Sequence, residues 1–317
     1  MRKVSLWGAG QHAKKNLLPG ILSSQTINLI GIYTRNKQTR IELSKIYDLK
    51  FYENEYEILN DPEIDTIIVA NPTGLHLETS KKIVNSGKNA WSEKSLHISN
   101  KNDLSLLKKA DKNNLEVREL FMFIYHPQFS KLLSLIHSEV YGKLISLHCK
   151  FGIPHLDPDD VRYNSEIGGG ALMDIGCYPI AAAHSIFGPK PKRIYSNIVS
   201  DNGHEVDTKG HAIFEYGGGE YALLEWGFGM SYGNSATLWF EKAILNIDRF
   251  FSKPKDLATE IVVTNSNGIS TTMHIPSSNH FQIMFDKYCI KNDHKWIKNQ
   301  SKLLSIVKSS SFFQKGL

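Results

Sequence analysis

The sequence predicts an α/β chain in two parts, a doubly wound parallel sheet followed by an α/β domain with a large, open and mostly antiparallel sheet. Three observations predict it. Residues 4–13, VSLWGAGQHA, run an apolar strand into glycines at G-x-G-x-x-A spacing. Strand-like and helix-like stretches then alternate to about residue 122, the order of a parallel sheet with crossover helices. Beyond Tyr125 the alternation stops, and long strands follow one another with turn residues between them.

In order, a helix over 13–22 follows the first strand, and the strand NLIGIY ends at Tyr33. A helix over 37–47, a short strand at Phe51, a helix over 55–59 and the strand TIIVA at 66–70 come next. Asn71-Pro72-Thr73-Gly74 breaks the chain, and 76–86 reads as helix. The strand NAWSE ends at Glu93, a helix covers roughly 101–112, and EVRELFMF closes this half. The predicted domains are therefore 1–122 and 123–317. In the second, an amphipathic helix over 127–138 and the strand LISLHCKFGI precede the segment GGGALMDIGCYPI at 168–180. RIYSNIVS, HAIFEY, EYALLEWGF, ATLWFE, AILNIDRFF and EIVVTNS then supply the sheet, with YGGGE at 216–220 as a hairpin turn.

The N-terminal glycines have a mechanical reading. Gly8 makes the turn, Gly10 admits a pyrophosphate, and Ala13 lets helix and strand pack closely, with Gln11 and His12 between them. This is the Rossmann dinucleotide fingerprint in its proper strand–loop–helix context. At the end of the second strand, where an NAD site places Asp or Glu, the chain has Thr34, Arg35 and Asn36, with Lys37 and Arg40 beyond. No acidic residue occurs before Glu42. A ribose phosphate would meet a guanidinium with no carboxylate to repel it, so NADP(H) is preferred and NAD(H) is left open. Lys37 and Arg40 also read simply as a solvated helix start.

Ligands of open parallel sheets sit beyond the carboxyl ends of the strands. That places Asn71, Pro72, Thr73 and His76 after one strand, and Glu93, Lys94 and Ser95 after the next, near the expected nicotinamide. In the second half, Asp174 and Tyr178 lie one helical turn apart behind three glycines, where an acid and a phenol can flank one small molecule. The structural reading of the same segment is a buried Tyr178 and a helix-capping Asp174.

Composition excludes several classes. The formal charge of +5 is spread along the 317 residues with no basic stripe interleaved with aromatics, which argues against a nucleic-acid partner. No apolar stretch is long enough to span a bilayer, and the first strand begins at once, so neither a membrane nor a cleavable signal is expected and cytoplasmic residence follows. Cys149, Cys177 and Cys289 are dispersed and odd in number, which disfavours a disulfide framework. His76, His126, His155 and His184 are equally dispersed, and no metal is expected.

WGAGQHA with Pro19 downstream, ANPTGLHLE, SEKS, FMFIYHPQ and DPDDVRYNSEIGGGALMDIGCYPI together resemble the glucose-fructose oxidoreductase, inositol dehydrogenase and rhizopine catabolism family, Gfo/Idh/MocA, over nearly the whole chain. The last two motifs are most similar to the branch holding glucose-fructose oxidoreductase and dimeric dihydrodiol dehydrogenase, in which Tyr replaces a histidine. The resemblance implies an oxidoreductase: hydride transfer between C4 of NADP(H) and a hydroxyl or carbonyl carbon of a sugar, sugar derivative or related cyclic polyol. It implies Lys94 as the lysine of the family's Glu-Lys-Pro motif, Asp174 and Tyr178 as the acid and proton donor of the second domain, and Arg35 as an arginine associated with NADP. It also implies a homodimer or homotetramer built through the C-terminal sheet.

Tyr178 would donate the proton, with Lys94 holding the substrate oxygen and easing phenol ionisation; Lys94 as the proton carrier fits equally. Asp174 would position substrate hydroxyls or Lys94. Arg162, in the loop 154–166 with His155, Asp157, Asp159 and Asp160, is expected to border the substrate. Three departures stand out. Ser95 replaces the family proline, so a cis bond there is not expected; Ile124 replaces an arginine; and Trp7 is bulky for the turn. A redox-neutral enzyme with tightly held NAD(P), or a non-catalytic NADP-binding sugar sensor, is the alternative.

Overall fold

The computed structural model describes residues 1–100, 102–201, 203–288, 294–310 and 314–315. The chain packs as two units. The first comprises Met1–Phe121 and His280–Lys298, the second Met122–Asn279 and Asn299–Leu317.

The first unit is a six-stranded sheet of β1 (Arg2–Trp7), β2 (Ile27–Tyr33), β3 (Lys50–Tyr52), β4 (Thr66–Val69), β5 (Asn89–Glu93) and β6 (Val117–Leu120). Its order is β3-β2-β1-β4-β5-β6, with every pairing parallel. The order reverses direction between β1 and β4, the switch point at which such sheets bind ligands. All four residues of TIIV are buried, as expected of a strand covered on both faces. The crossovers are carried by a π turn at Ala13–Leu17 running into α1 (Leu18–Leu22), then α2 (Lys37–Ser44), α3 (Glu55–Asn60), α4 (His76–Asn85) and α5 (Ser105–Lys112). Asn36 and Asn54 cap α2 and α3 by accepting from Thr39 N and Glu57 N. The fifth helix is shorter than the sequence suggests at its start, and Lys101 lies outside the described residues. The strand predicted through FMF stops at Leu120, because Met122–Tyr125 coil into a 3₁₀ turn.

The second unit opens with α6 (Pro127–His137), β7 (Leu144–Ile153) and, after a π turn at Leu172–Gly176, α7 (Cys177–Phe187). Seven further strands follow: β8 (Arg193–Ser200), β9 (Lys209–Glu215), β10 (Tyr221–Phe228), β11 (Gly233–Phe240), β12 (Ala243–Asp248), β13 (Thr259–Asn265) and β14 (Ser270–Ile275). With β15 (Gln314–Lys315) they form a sheet ordered β14-β13-β12-β11-β7-β10-β9-β8-β15. Only β7–β10 and β8–β15 pair in parallel among the registers described. The YGGGE hairpin is present, closed by Tyr216 N–H donating to Glu220 O at 2.8 Å.

Two C-terminal helices, α8 (His280–Tyr288) and α9 (His294–Ser310), were not legible beforehand, and they alter the domain assignment. Residues 280–298 belong with the first unit, not with a second domain running unbroken from 123 to 317. The reason is packing. Phe285 stacks on Trp91 with centroids 6.5 Å apart, Trp296 meets Phe121 at 5.3 Å, and Asp286 accepts from Ser24 Oγ and Gln25 N–H. Cys149 and Cys177 are buried, and neither forms a disulfide among the described residues; Cys289 lies outside them.

Candidate active site

At the end of β1 the chain turns through Gly8 at φ +105°, a conformation that favours glycine. A Cβ there would lie 2.6 Å from the main chain of Ala70 and Asn71. Gly8 N–H donates to Tyr33 O at 2.8 Å and Ala70 N–H to Trp7 O at 2.7 Å, which ties together the loops after β1, β2 and β4. Around Gly10, by contrast, a Cβ would meet nothing within 4 Å. The second glycine thus leaves open approach, while Ala13 is buried in the helix–sheet contact. Trp7 does not obstruct the turn: it is buried, edge-on to Tyr33 with centroids 5.0 Å apart.

At the second strand end Thr34 is buried, its Oγ1 3.4 Å from Asn36 N, and Asn36 spends its carbonyl on the cap of α2. Arg40 is paired with Glu53 at 2.8 Å. Arg35 is exposed and, among the described residues, has no carboxylate at ion-pair distance. Gln11 is likewise exposed. His12 Nδ1 accepts from Asn16 Nδ2 at 3.1 Å, so its Nε2–H faces Glu93 Oε1, 3.6 Å away.

After β4, Pro72 and Thr73 start a tight turn closed by Leu75 N–H to Pro72 O at 2.8 Å. Asn71 donates through Nδ2 to Thr79 Oγ1 at 2.8 Å, and its buried Oδ1 has no hydrogen-bond partner among the described residues. His76 is buried rather than turned to the edge, and burial lowers its pKa, so the ring is neutral. It meets two carbonyls, Asn71 O at 2.8 Å and Ser95 O at 3.4 Å. A neutral imidazole has one proton to give, and the shorter contact fixes it on Nε2. His76 therefore ties back the loop after β4 through Asn71 O, and its unprotonated Nδ1 lies near Ser95 O without donating to it.

The Lys94–Ser95 peptide bond is cis, contrary to the expectation drawn from the missing proline. Its surroundings hold the bend without a pyrrolidine ring: Ser95 is buried, His76 lies against its carbonyl, and Leu96 N–H donates to Glu119 Oε1 at 2.7 Å. Glu119 is a buried carboxyl that the sequence reading passed over. Burial pushes it up to about 8; Leu96 N–H opposes this, Glu93 adds to it, and Lys94 opposes it.

In the second unit the three glycines answer to the protein's own loops rather than to a ligand. Gly169 N–H donates to Asn164 O and Gly170 N–H to Arg162 O, each at 2.9 Å. A Cβ on Gly169 would lie 2.5 Å from Arg162 O, and one on Gly170, where φ is +118°, would strike Asp207 Oδ1. The helix start is held by Asp207, not by Asp174 as the structural reading supposed, for Asp207 Oδ2 accepts from Leu172 N–H at 2.6 Å. Burial raises the Asp207 carboxyl to about 6 against the pull of that N–H. No sequence pattern marks this residue, because it caps a helix from 35 positions away.

Asp174 is half-buried and accepts from Arg162 Nε at 2.8 Å, while Arg162 Nη1 reaches both oxygens of Asp160 at 3.0 and 3.2 Å. Burial works against the guanidinium, but the two carboxylates prevail and raise its pKa. Asp160 also accepts from Arg162 N–H, and Asp157 Oδ1 from Asp159 N–H, so these acids shape the loop; His155 is exposed. Tyr178 is 4 % exposed, ringed by Phe123, Phe151 and Phe251 with centroids 5.3–5.9 Å away, and its hydroxyl donates to Met122 Sδ at 3.5 Å. Ile124 lies in the turn next to Phe123. His126 caps α6, its Nδ1 accepting from Gln128 N–H at 3.1 Å.

A glycine turn at the switch point of a parallel sheet, joined to a second α/β unit carrying a paired acid and a buried phenol, defines a two-part protein of the dinucleotide-dependent enzyme class. Residues 2–120 match the oxidoreductase family profile with an NAD-binding Rossmann fold, and residues 129–246 match the GFO/IDH/MocA C-terminal domain. The chain belongs to the Gfo/Idh/MocA oxidoreductase family. It is 27 % identical over 281 residues to the dTDP-3,4-didehydro-2,6-dideoxy-alpha-D-glucose 3-reductase of Saccharopolyspora spinosa, covering 87 % of this chain and 82 % of that protein. It is 27 % identical over 252 residues to the trans-1,2-dihydrobenzene-1,2-diol dehydrogenase of Xenopus laevis, covering 78 % and 73 %. Its fold is that of a 3-ketoreductase from Actinomadura kijaniata, crystallised with NADP and TDP-benzene, at a TM-score of 0.92 and 22 % identity over 100 % of this chain and 99 % of that one.

Proposed function

We propose that this oxidoreductase uses NADP(H) to interconvert a hydroxyl and a carbonyl on a sugar, a sugar derivative or a related cyclic polyol. The observation that carries the reading is the carboxyl edge of the first sheet. There a turn only glycine tolerates at Gly8, open space at Gly10, an exposed Arg35 without a carboxylate partner and the orphaned Asn71 Oδ1 together suit a phosphorylated dinucleotide. Gly8, Gly10, Gln11, His12 and Ala13 would hold the pyrophosphate, Thr34, Arg35 and Asn36 the ribose phosphate, and Asn71, Pro72, Thr73, Glu93 and Lys94 the nicotinamide end. NAD(H) is the weaker candidate. When bound, the nicotinamide supplies or accepts the hydride.

The chain's own task is the proton. Reduction of a carbonyl leaves an alkoxide, which needs a donor at hydrogen-bond distance. We assign that role to Tyr178, with Lys94 binding the substrate oxygen and Asp174, steadied by Arg162, orienting hydroxyls. The exchanged assignment, with Lys94 as carrier, is distinguished by experiment. The sugar-nucleotide and diol substrates named for the relatives support a polyhydroxylated ligand. We further read the chain as cytoplasmic; among the described residues no helix is long and apolar enough to cross a membrane. We also read it as a homodimer or homotetramer formed through the second sheet. Its registers put Tyr195, Tyr221 and Trp239, 52, 40 and 54 % exposed, on one face.

The test is NADPH oxidation against TDP-linked 3-ketosugars and free ketoses, and NADP⁺ reduction against aldoses and cyclic diols. Lys94→Met should bind NADPH within about threefold of the parent and lose at least ~100-fold in turnover, the order expected for a proton-handling group. Tyr178→Phe should match that loss if the phenol is the carrier and fall short of it if the lysine is. Most activity surviving in Lys94→Met refutes the lysine's role, and tight NADPH binding without consumption across the panel favours a sensor.

A further inference from the structure

The turn that carries Lys94 is held on one side and flanked on the other within the first unit. On one side stands β6, where Glu119 pairs in register with Ser92 of β5, two residues short of Lys94. Its carboxyl, on a residue 5 % exposed, reaches past the strand end to take Leu96 N–H at 2.7 Å. On the other side stands α4, whose His76 lies 3.4 Å from Ser95 O and donates to Asn71 O at 2.8 Å. Lys94, Ser95 and Leu96 are thus bracketed by a carboxyl and an imidazole, both buried. Glu93 and Lys94 are among the charged groups acting on Glu119, and both also act on His76.

We propose that Glu119 is a positioning residue for Lys94, fixing the turn that presents the lysine and setting the charge the lysine faces. The inference rests on the assignment of Lys94 to proton handling. Its chemistry follows from two carboxyls near one ammonium in a dry corner. Burial is the main reason Glu119 keeps its proton, and the neighbouring Glu93 adds to it while Leu96 N–H and Lys94 oppose. With its carboxyl pushed up to about 8, Glu119 is the neutral partner at pH 7, and its carbonyl oxygen still accepts Leu96 N–H without adding a buried anion. Above that pH it ionises, the hydrogen bond becomes charge-assisted, and the lysine faces a second carboxylate that favours its ammonium form.

The experiment reads the lysine itself rather than turnover. Full-length parent, Glu119→Gln and Glu119→Ala are trace-labelled with acetic anhydride from pH 6 to 10, and Lys94 acetylation is quantified by peptide mass spectrometry. Leu96 amide exchange is followed in parallel, and NADPH fluorescence titration checks that each variant retains its fold. At pH 9 both variants should acetylate Lys94 about three- to tenfold faster than the parent, because a nearby negative charge that favours its ammonium form has been removed. Leu96 exchange should rise at least about tenfold in Glu119→Ala and little in Glu119→Gln, which keeps an acceptor. Labelling profiles that superimpose in all three proteins, with unchanged Leu96 exchange, overturn the proposal. Because no substrate is used, a Lys94→Met enzyme that stays active would sink the proton-handling role while leaving this result standing.

Discussion

Arg35 is where cofactor choice can be tested most directly. Among the cations at the end of β2, Arg40 is committed to Glu53 at 2.8 Å, whereas Arg35 is exposed and has no carboxylate at ion-pair distance among the described residues. Asn36 and Thr34 are partly spent on the start of α2. A hydrogen bond to a charged group is worth about 1.5–3 kcal/mol, and an exposed guanidinium belongs at the lower end because solvent and salt screen it. Arg35→Ala should therefore weaken NADPH binding about tenfold, at ~1.4 kcal/mol per factor of ten, and leave NADH within about twofold. The assay is fluorescence titration of both reduced cofactors at 50 and 300 mM salt. The NADPH deficit should shrink at the higher salt, and Arg35→Asp should invert the preference. Equal losses for the two cofactors, or none, would refute the reasoning.

Other outcomes follow from the same geometry. Gly8→Ala should unfold or badly destabilise the first unit, because the new methyl meets main chain at 2.6 Å, whereas Gly10→Ala should leave the melting temperature within about a degree or two and weaken NADPH binding; two equivalent melts would contradict this. Lys253 is 6 % exposed, donates to Gln128 Oε1 and Phe250 O at 3.0 Å each, and burial lowers its pKa to about 7. In the unfolded chain it titrates near 10.4, so the unfolded state holds the extra proton between those values and its contribution to stability must rise as pH climbs from 7 towards 10. From pH 7 to 9 the Lys253 contribution is of the order of 2 kcal/mol, opposed in the whole protein by Glu119, and is read as the difference in slope between parent and Lys253→Met urea titrations; parallel curves would disprove it. Arg162→Ala removes the cation from Asp174 Oδ2, and should cost turnover while leaving NADPH affinity unchanged, which steady-state kinetics and titration together decide.

The first sheet was legible because its signals are local. TIIVA and NLIGIY are apolar runs that only a sheet covered on both faces buries, and the glycine spacing at 8 and 10 dictates its own turn. The succession of strands in the second unit also came through as alternating segments, with YGGGE marking a hairpin, but not the central place of β7 beside β10. What escaped were relations across long sequence distance. Nothing in the neighbourhood of Glu119 announces that it will receive Leu96 N–H from 23 residues away, and nothing near Asp207 announces a cap for Leu172. Ser95 misled for a related reason. A proline would have declared the cis bond in the sequence, whereas the hydrogen bond on this turn comes from Glu119, visible only once the strands are laid side by side. At Gly169 and Gly170 it is the carbonyl of Arg162 and the carboxyl of Asp207 that come close, neither of which the local sequence marks.

The placement of α8 bears on how the polypeptide acquires its shape during synthesis. Phe281 sits against Gly20, where a Cβ would come within 2.5 Å, and Phe285 is fully enclosed over Trp91. The half that leaves the ribosome first therefore stays unsealed until residues 280–298 emerge, with an apolar wall wetted in the meantime. A fragment ending at residue 122 would keep that wall bare for good, so the nucleotide-binding half should aggregate when expressed alone and recover when the distal helices are supplied in trans.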